Sequence, residues 1–285
     1  IRRMKASPYE EVRQIGDEVA AACARPAACH WSANEPLAAV APTLAKYVEA
    51  DPYPSMAREA VAQWARQNLP PASDGRAPRV ELTKPAEPAA DIAATLLYSV
   101  TQRPYSELYA LAASWSSAMR AEVVEAALGP RSRHDELLRA FRGGPYIYDF
   151  FLDIGAYRDL HRHRRCTQVL QPYSWEHGWE MPPPAVDFGL EAEFHEAFSA
   201  ARNAAASLPE PASHYLLPFA SRCRFLMKMD FAEAEYIARL RSGVKGHFSY
   251  RDAAWRMKLE MERVEPELGR LMAATPPEVE DPLVR

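Results

Sequence analysis

The stretch YIYDFFLDIG, residues 146–155, constrains the fold of this chain more than any other. Tyr146, Tyr148, Phe150, Leu152 and Ile154 alternate onto one face, while Ile147, Asp149, Phe151 and Asp153 share the other. Strict alternation of aromatic and aliphatic residues is the period of a strand, so one face belongs in a core. From Ala156 the period changes, and Tyr157, Leu160 and Arg164 are spaced like one side of a helix. The spacing predicts a strand that turns at Gly155 into a short helix, whose C-terminus carries the cationic run HRHRR at 161–165.

Helical patterns dominate the rest. PYEEVRQIGDEVAAACARP, EPLAAVAPTLAKYVEAD and SMAREAVAQWARQNL predict three Ala-rich helices within residues 8–69. Residues 70–78, PPASDGRAP, gather turn and linker chemistry. A boundary is expected there, separating a helical N-terminal segment (1–78) from an α+β domain (79–285). That domain opens with a strand, RVELT, followed by helices in PAADIAATLLYSV and SELYALAASWSSAMRAEVVEAAL, the second stopped by Gly129 and Pro130. Residues 172–189 read as a long loop whose aromatics, Tyr173, Trp175 and Trp179, either stack on a planar ligand or form local core. LEAEFHEAFSAARNAAASL and HYLLPFASRCRFLMKMDFAEAEYIARLRS read as helices. A last helix is expected from about Ser249 to Leu271, and the tail ATPPEVEDPLVR reads as frayed.

A net charge of -4 over 285 residues makes the cationic run a local device, and argues against nucleic acid or an anionic membrane as partner. No apolar run approaches the roughly 18 residues of a membrane span, and no apolar leader follows the basic start. Four scattered cysteines (Cys23, Cys29, Cys166, Cys223) fit free thiols, and the cytoplasm is the expected location. Ile at position 1 is expected of a processed product or of a piece of a longer chain. Zinc is not expected: neither Cys23, Cys29 and His30 nor His161, His163 and Cys166 has a zinc spacing, and the arginines repel a cation. Cys166, with no general base indicated beside it, reads as structural.

Two readings of Arg162, His163, Arg164 and Arg165 stay open. Cations at a helix C-terminus complement its dipole. Four consecutive positions nevertheless spread around a helix, so some must point inward, and a buried guanidinium needs an anion. Asp149, Asp153 and Asp159 are candidates, as is a ligand phosphate held bidentately.

A strand, a short helix and an Arg-His-Arg triplet (Arg162, His163, Arg164) followed by the hydroxyl of Thr167 resemble the signature R-H-R-x-x-S-x-N-x-x-S-x-R-Y of the flavin-dependent thymidylate synthases. GAYRDLHRHRRCTQ is similar to members of that family that carry two such domains in tandem. RLRSGVKGHFSYRDAAWRM resembles the family's closing segment, which places Arg241, with His247 and Arg251 nearby, against the pyrimidine nucleotide. The resemblance spans roughly residues 79–272. It implies a helix-rich α+β domain around a small, mostly antiparallel sheet. It also implies FAD as cofactor, with NADPH and methylenetetrahydrofolate as co-substrates of a one-carbon transfer to a pyrimidine nucleotide or related planar substrate. Arg162, His163, Arg164 and Thr167 would then bind the flavin, and Arg241, His247 and Arg251 the substrate. FAD lies between subunits in this family, which implies a homo-oligomer or a tandem partner domain. The chain departs from the signature at Val169, Pro172, Ser174 and Trp175, and an expected histidine falls near Gly143. These departures support the alternative of a degenerate, non-catalytic copy that completes or scaffolds a partner domain.

Overall fold

The computed structural model describes residues 1–24, 48–71, 78–131, 138–141, 144–270 and 272–280. The helix expected over 35–51 and the linker over 70–78 fall largely outside these residues, as do Cys29, His30 and Gly143.

Strand β2 (Tyr146–Asp153) is the axis of a four-stranded, fully antiparallel sheet. It pairs with β1 (Val80–Thr83) on one side and β4 (Arg222–Met229) on the other, and β3 (Thr167–Leu170) forms the far edge beyond β4. Every residue of β2 except Phe151 is buried, because helices cover both faces of the sheet. Tyr148, Phe150, Leu152, Phe225, Met227 and Met229 face α7 (Ile154–Leu160), α10 (Phe231–Arg241) and α11 (Phe248–Val264). On the opposite face Ile147 and Leu226 pack with α3 (Tyr53–Asn68), α4 (Pro88–Tyr98), α5 (Tyr105–Ser114) and α6 (Ser117–Leu128). Trp64 of α3 meets Trp115 at 5.5 Å and donates its indole N–H to Glu122. The short α1 (Arg2–Lys5) and α2 (Glu10–Ala24) precede this group.

The second face also buries charge. Asp149 Oδ1 accepts from the Tyr98 hydroxyl at 2.8 Å, and Oδ2 accepts from Tyr105 N at 2.9 Å and Arg224 Nη1 at 3.1 Å. Two same-face positions along β4 from Arg224, the fully buried Lys228 donates to Asp91 Oδ1, which also accepts from the Tyr105 hydroxyl. Burial pushes the Asp149 pKa up against the opposing pull of Arg224, and pushes that of Lys228 down against Asp91. Each ion is tolerated because its partner and further donors or acceptors replace water.

The α+β class is as the sequence predicts, with differences in individual elements. The helix expected over 106–128 is two, broken at Trp115 and restarted where Ser116 caps α6 by accepting from Met119 N. The helix expected over 214–242 is instead a 3₁₀ turn (Ala212–Leu216), strand β4 and helix α10. Arg, Leu, Met and Lys are good helix formers, so propensity in RCRFLMKM opposes the strand; Cys223, Phe225, Met227 and Met229 alternate onto one core. Strand β3 was not expected, and within 172–189 the chain forms a 3₁₀ turn (Trp175–His177) and α8 (Pro183–Asp187). Pro266 ends the last long helix at Val264 and opens the single turn α12 (Pro266–Gly269). Part of the tail is anchored: Thr275 N donates to the Ser242 hydroxyl at 2.8 Å, and Val279 O accepts from Arg251.

Candidate functional site: the turn after α7

Helix α7 begins at Ile154, two residues before the period changes at Ala156, because Asp153 caps it by accepting from Ala156 N at 2.8 Å. The other oxygen of Asp153 accepts from the Ser249 hydroxyl, tying α7 to the start of α11. The helix ends at Leu160, so the cationic run starts at the C-cap, His161, and continues as a turn rather than forming the last turn of the helix. Of residues 161–165, His163 alone is buried, and the three arginines and His161 are exposed.

His163 is held from every side. Its backbone N donates to Leu160 O at 3.1 Å, and its carbonyl accepts from Gln168 Nε2 at 2.7 Å and from the Cys166 thiol at 3.0 Å. Its ring Nε2 accepts from Arg241 Nε at 2.9 Å, while Nδ1 lies 3.7 Å from Glu233 Oε1 and the ring meets Tyr236 edge-on at 5.8 Å. A guanidinium donates only, so Nε2 carries no proton and the ring is neutral with its proton on Nδ1. Burial, and then the Arg241 charge, push its pKa down to about 4. The contact with Glu233 is therefore dipole to charge and not an ion pair.

This shift has a measurable sign. An unfolded histidine titrates near 6.5, so between that value and about 4 the unfolded chain binds the extra proton. The stability contributed by neutral His163 is complete above pH 6.5 and is lost as pH falls towards 4, by on the order of 2 kcal/mol. Urea midpoints at pH 7 and pH 4.5 should fall further apart in the native chain than in His163→Asn; equal gaps would contradict it.

The aspartates divide the work differently from a simple ion-pair cluster. Asp149 serves Arg224 and Asp153 serves a helix cap, which leaves Asp159 to the turn. Asp159 lies 3.7 Å from Arg162 Nε and 3.8 Å from Arg241 Nη1, and its carbonyl accepts from Arg241 Nη2 at 2.7 Å. Arg165 is loosely placed between Asp230, at 3.9 Å, and Glu233, at 4.0 Å. Arg164 is exposed, with no hydrogen-bond or ion-pair partner among the described residues.

Of the residues singled out in the sequence, His163 and Arg241 meet directly although 78 positions apart. Thr167 does not join them. It opens β3 opposite Lys228 and shares a sheet face with Val169, which packs with Ile147 and Leu226. His247 is exposed and caps α11, accepting from Ser249 N, and its ring packs on Phe248 at 4.2 Å. Arg251 donates to Ser242 O and Val279 O, anchoring the C-terminal segment. The loop aromatics form local core: Trp175 and Trp179 pack on Phe198 of α9 (Glu191–Ala205), and Tyr173 on His214. Burial pushes the Cys166 thiol up to about 11, so it stays protonated and inert near neutrality. Glu233 and Gln168 escaped the sequence reading, Glu233 because it lies in the stretch read as one continuous helix. No helix among the described residues is long and apolar enough to cross a membrane.

A family model described as Thymidylate synthase complementing protein matches residues 89–267. A UPF0159 protein of Chlamydia muridarum is 31% identical over 180 residues, covering 61% of this chain and 34% of that protein. A UPF0159 protein of Thermoplasma acidophilum is 31% identical over 147 residues, covering 50% and 30%. The chain spans about a third of the length of these curated relatives. Among solved structures, Thymidylate Synthase X from Helicobacter pylori with FAD and dUMP aligns with a TM-score of 0.35 and 16% identity, over 45% of this chain and 70% of that one.

Proposed function

This chain belongs to the thymidylate synthase complementing protein family, that of the flavin-dependent thymidylate synthases, and on that premise we propose that it is a thymidylate synthase-like enzyme that binds FAD at the turn 161–165. The observation that carries the proposal is the exposed guanidinium of Arg164, without a partner among the described residues, with Arg162 two positions away engaged only at 3.7 Å. Two exposed arginines two positions apart suit the diphosphate of a dinucleotide, each fork able to bind two oxygens in one plane. The donor set therefore fits FAD, and the acidic neighbours Asp159, Asp230 and Glu233 confine the positive charge to the outer rim of the turn.

Once bound, FAD reduced by NADPH would supply the hydride that reduces a carbon unit passed from methylenetetrahydrofolate to a pyrimidine nucleotide or related planar substrate. The chain's own part is binding and orientation: Arg162 and Arg164 hold the phosphates, and neutral His163 forms the floor of the turn without adding charge. Arg241, His247 and Arg251 surround the junction of α10 and α11, the side from which the nucleotide would approach. A second copy of the chain, or a tandem partner domain, would complete the site.

A second reading has its own observation. The Arg241 fork is taken up by His163 and Asp159, and the positions of Val169, Pro172, Ser174 and Trp175 lack the family's polar groups; both favour a non-catalytic domain that scaffolds a partner.

Titrating the purified chain with FAD and following the visible flavin spectrum separates the two. The enzyme reading expects saturable binding, weakened about tenfold or more by Arg164→Ala with the fold retained. A chain indifferent to FAD would leave only the scaffold.

A further inference from the structure

We propose that Arg241 is a positioning residue: it grips the turn 161–165 from inside, so that Arg162 and Arg164 are presented outward, and it does not itself bind the ligand. The proposal rests on the reading that this turn receives the flavin. It reassigns Arg241, one of the two late arginines that the family resemblance pointed to as substrate ligands.

The geometry carries it in two steps. First, the turn is anchored through residue 163. Its backbone N, its carbonyl and its ring all have partners, whereas the flanking arginines have loose contacts or none among the described residues. A turn pinned at its central residue must send the neighbouring side chains the other way, and these are the exposed Arg162 and Arg164. Second, the Arg241 fork is already occupied. Nε donates to His163 Nε2 at 2.9 Å and Nη2 to Asp159 O at 2.7 Å, Nη1 lies 3.8 Å from Asp159 Oδ1, and the guanidinium packs over the Tyr250 ring at 5.5 Å. A phosphate or carbonyl reaching this group would have to displace both His163 and the Asp159 carbonyl. That would leave a buried imidazole acceptor unpaired.

Arg241 at the end of α10 thus closes a bracket with Asp159 at the end of α7. Gln168 and Cys166 brace the His163 carbonyl from the β3 side. Glu233, Asp230 and Arg165 are the other charged groups facing His163 or its neighbours. None of them donates to Nε2, so among the described residues the ring's acceptor is satisfied by Arg241 alone.

The test uses the full chain labelled with ¹⁵N, reading the His163 ring nitrogens beside FAD titrations of the native protein, Arg241→Ala, Arg241→Lys and Arg164→Ala/Arg241→Ala. The expected native ring is neutral and protonated on Nδ1. Arg241→Ala should shift it towards the Nε2-protonated form and raise its pKa. The same variant should weaken FAD binding by about tenfold, with less than additive loss when combined with Arg164→Ala, since both act on one presented surface. Arg241→Lys, which keeps the charge and lacks the fork, should fall between.

Two results would overturn the proposal: an unchanged His163 ring and FAD affinity in Arg241→Ala, or loss of dUMP binding in that variant with FAD affinity intact. Should the native chain bind no FAD, the functional reading fails by itself. The bracket is then judged on the ring alone, supported if the tautomer moves in Arg241→Ala and overturned if it stays.

Discussion

Asp149→Ala is expected to destabilise the chain by about 3–5 kcal/mol, among the largest effects of any single substitution in it. The carboxylate is almost wholly enclosed between β2 and the α4–α5 connection, and it satisfies three donors at once: the Tyr98 hydroxyl, Tyr105 N and Arg224 Nη1. Its removal strands a guanidinium that is 5% exposed and cannot discharge itself by losing a proton. The cost is that of an uncompensated buried charge rather than the net strength of the pair. Asp149→Leu combined with Arg224→Met should therefore recover part of the loss, although Tyr98 and Tyr105 N remain unpaired. Equilibrium urea unfolding reads both. A loss under about 1 kcal/mol for Asp149→Ala would mean that water reaches the cluster and that the charges are not buried in solution.

Phe225→Ala is expected to cost a similar amount, about 3–5 kcal/mol, by a different mechanism. Phe225 is fully buried at the centre of β4, stacked on Phe150 at 5.0 Å and tilted against Tyr157 of α7 at 4.7 Å. Alanine would leave a cavity bounded by a strand and a helix that cannot close onto each other without breaking the β2–β4 ladder. Phe225→Leu, which keeps most of the apolar volume, should lose distinctly less. The comparison also tests how the site is supported, because Tyr157 sits on the helix that delivers the turn 161–165. A lowered denaturation midpoint with an unchanged m-value is the expected signature in both variants. Equal losses for Ala and Leu would point to the aromatic stacking rather than the filled volume.

The strand at 146–153 was legible because its period-two alternation spans the whole element, and the change of period after it correctly announced a helix. The cationic run was legible as a local cluster, and of the three aspartates offered for it only Asp159 faces it. What could not be read was which aspartate serves which cation. Asp149 and Arg224 meet on a diagonal across neighbouring strands only because β2 and β4 pair in the register that sets Asp149 opposite Leu226, and Asp91 reaches Lys228 across 137 positions. Strand β4 was misread for the same reason. Its Arg, Leu, Met and Lys residues favour a helix locally, and only the partners that neutralise Arg224 and Lys228 make a strand of that composition tolerable inside a core.

By itself, then, the sequence determined that an α+β chain with a short helix would deliver a cluster of cations, since alternation and helical spacing are properties of consecutive residues. Tertiary structure alone decided that His163 turns inward while Arg162 and Arg164 turn outward, and that Arg241 is spent on holding them so. Those outcomes depend on which distant groups can satisfy a buried donor or acceptor, and that is settled only when the sheet register and the helix packing bring them within hydrogen-bonding distance.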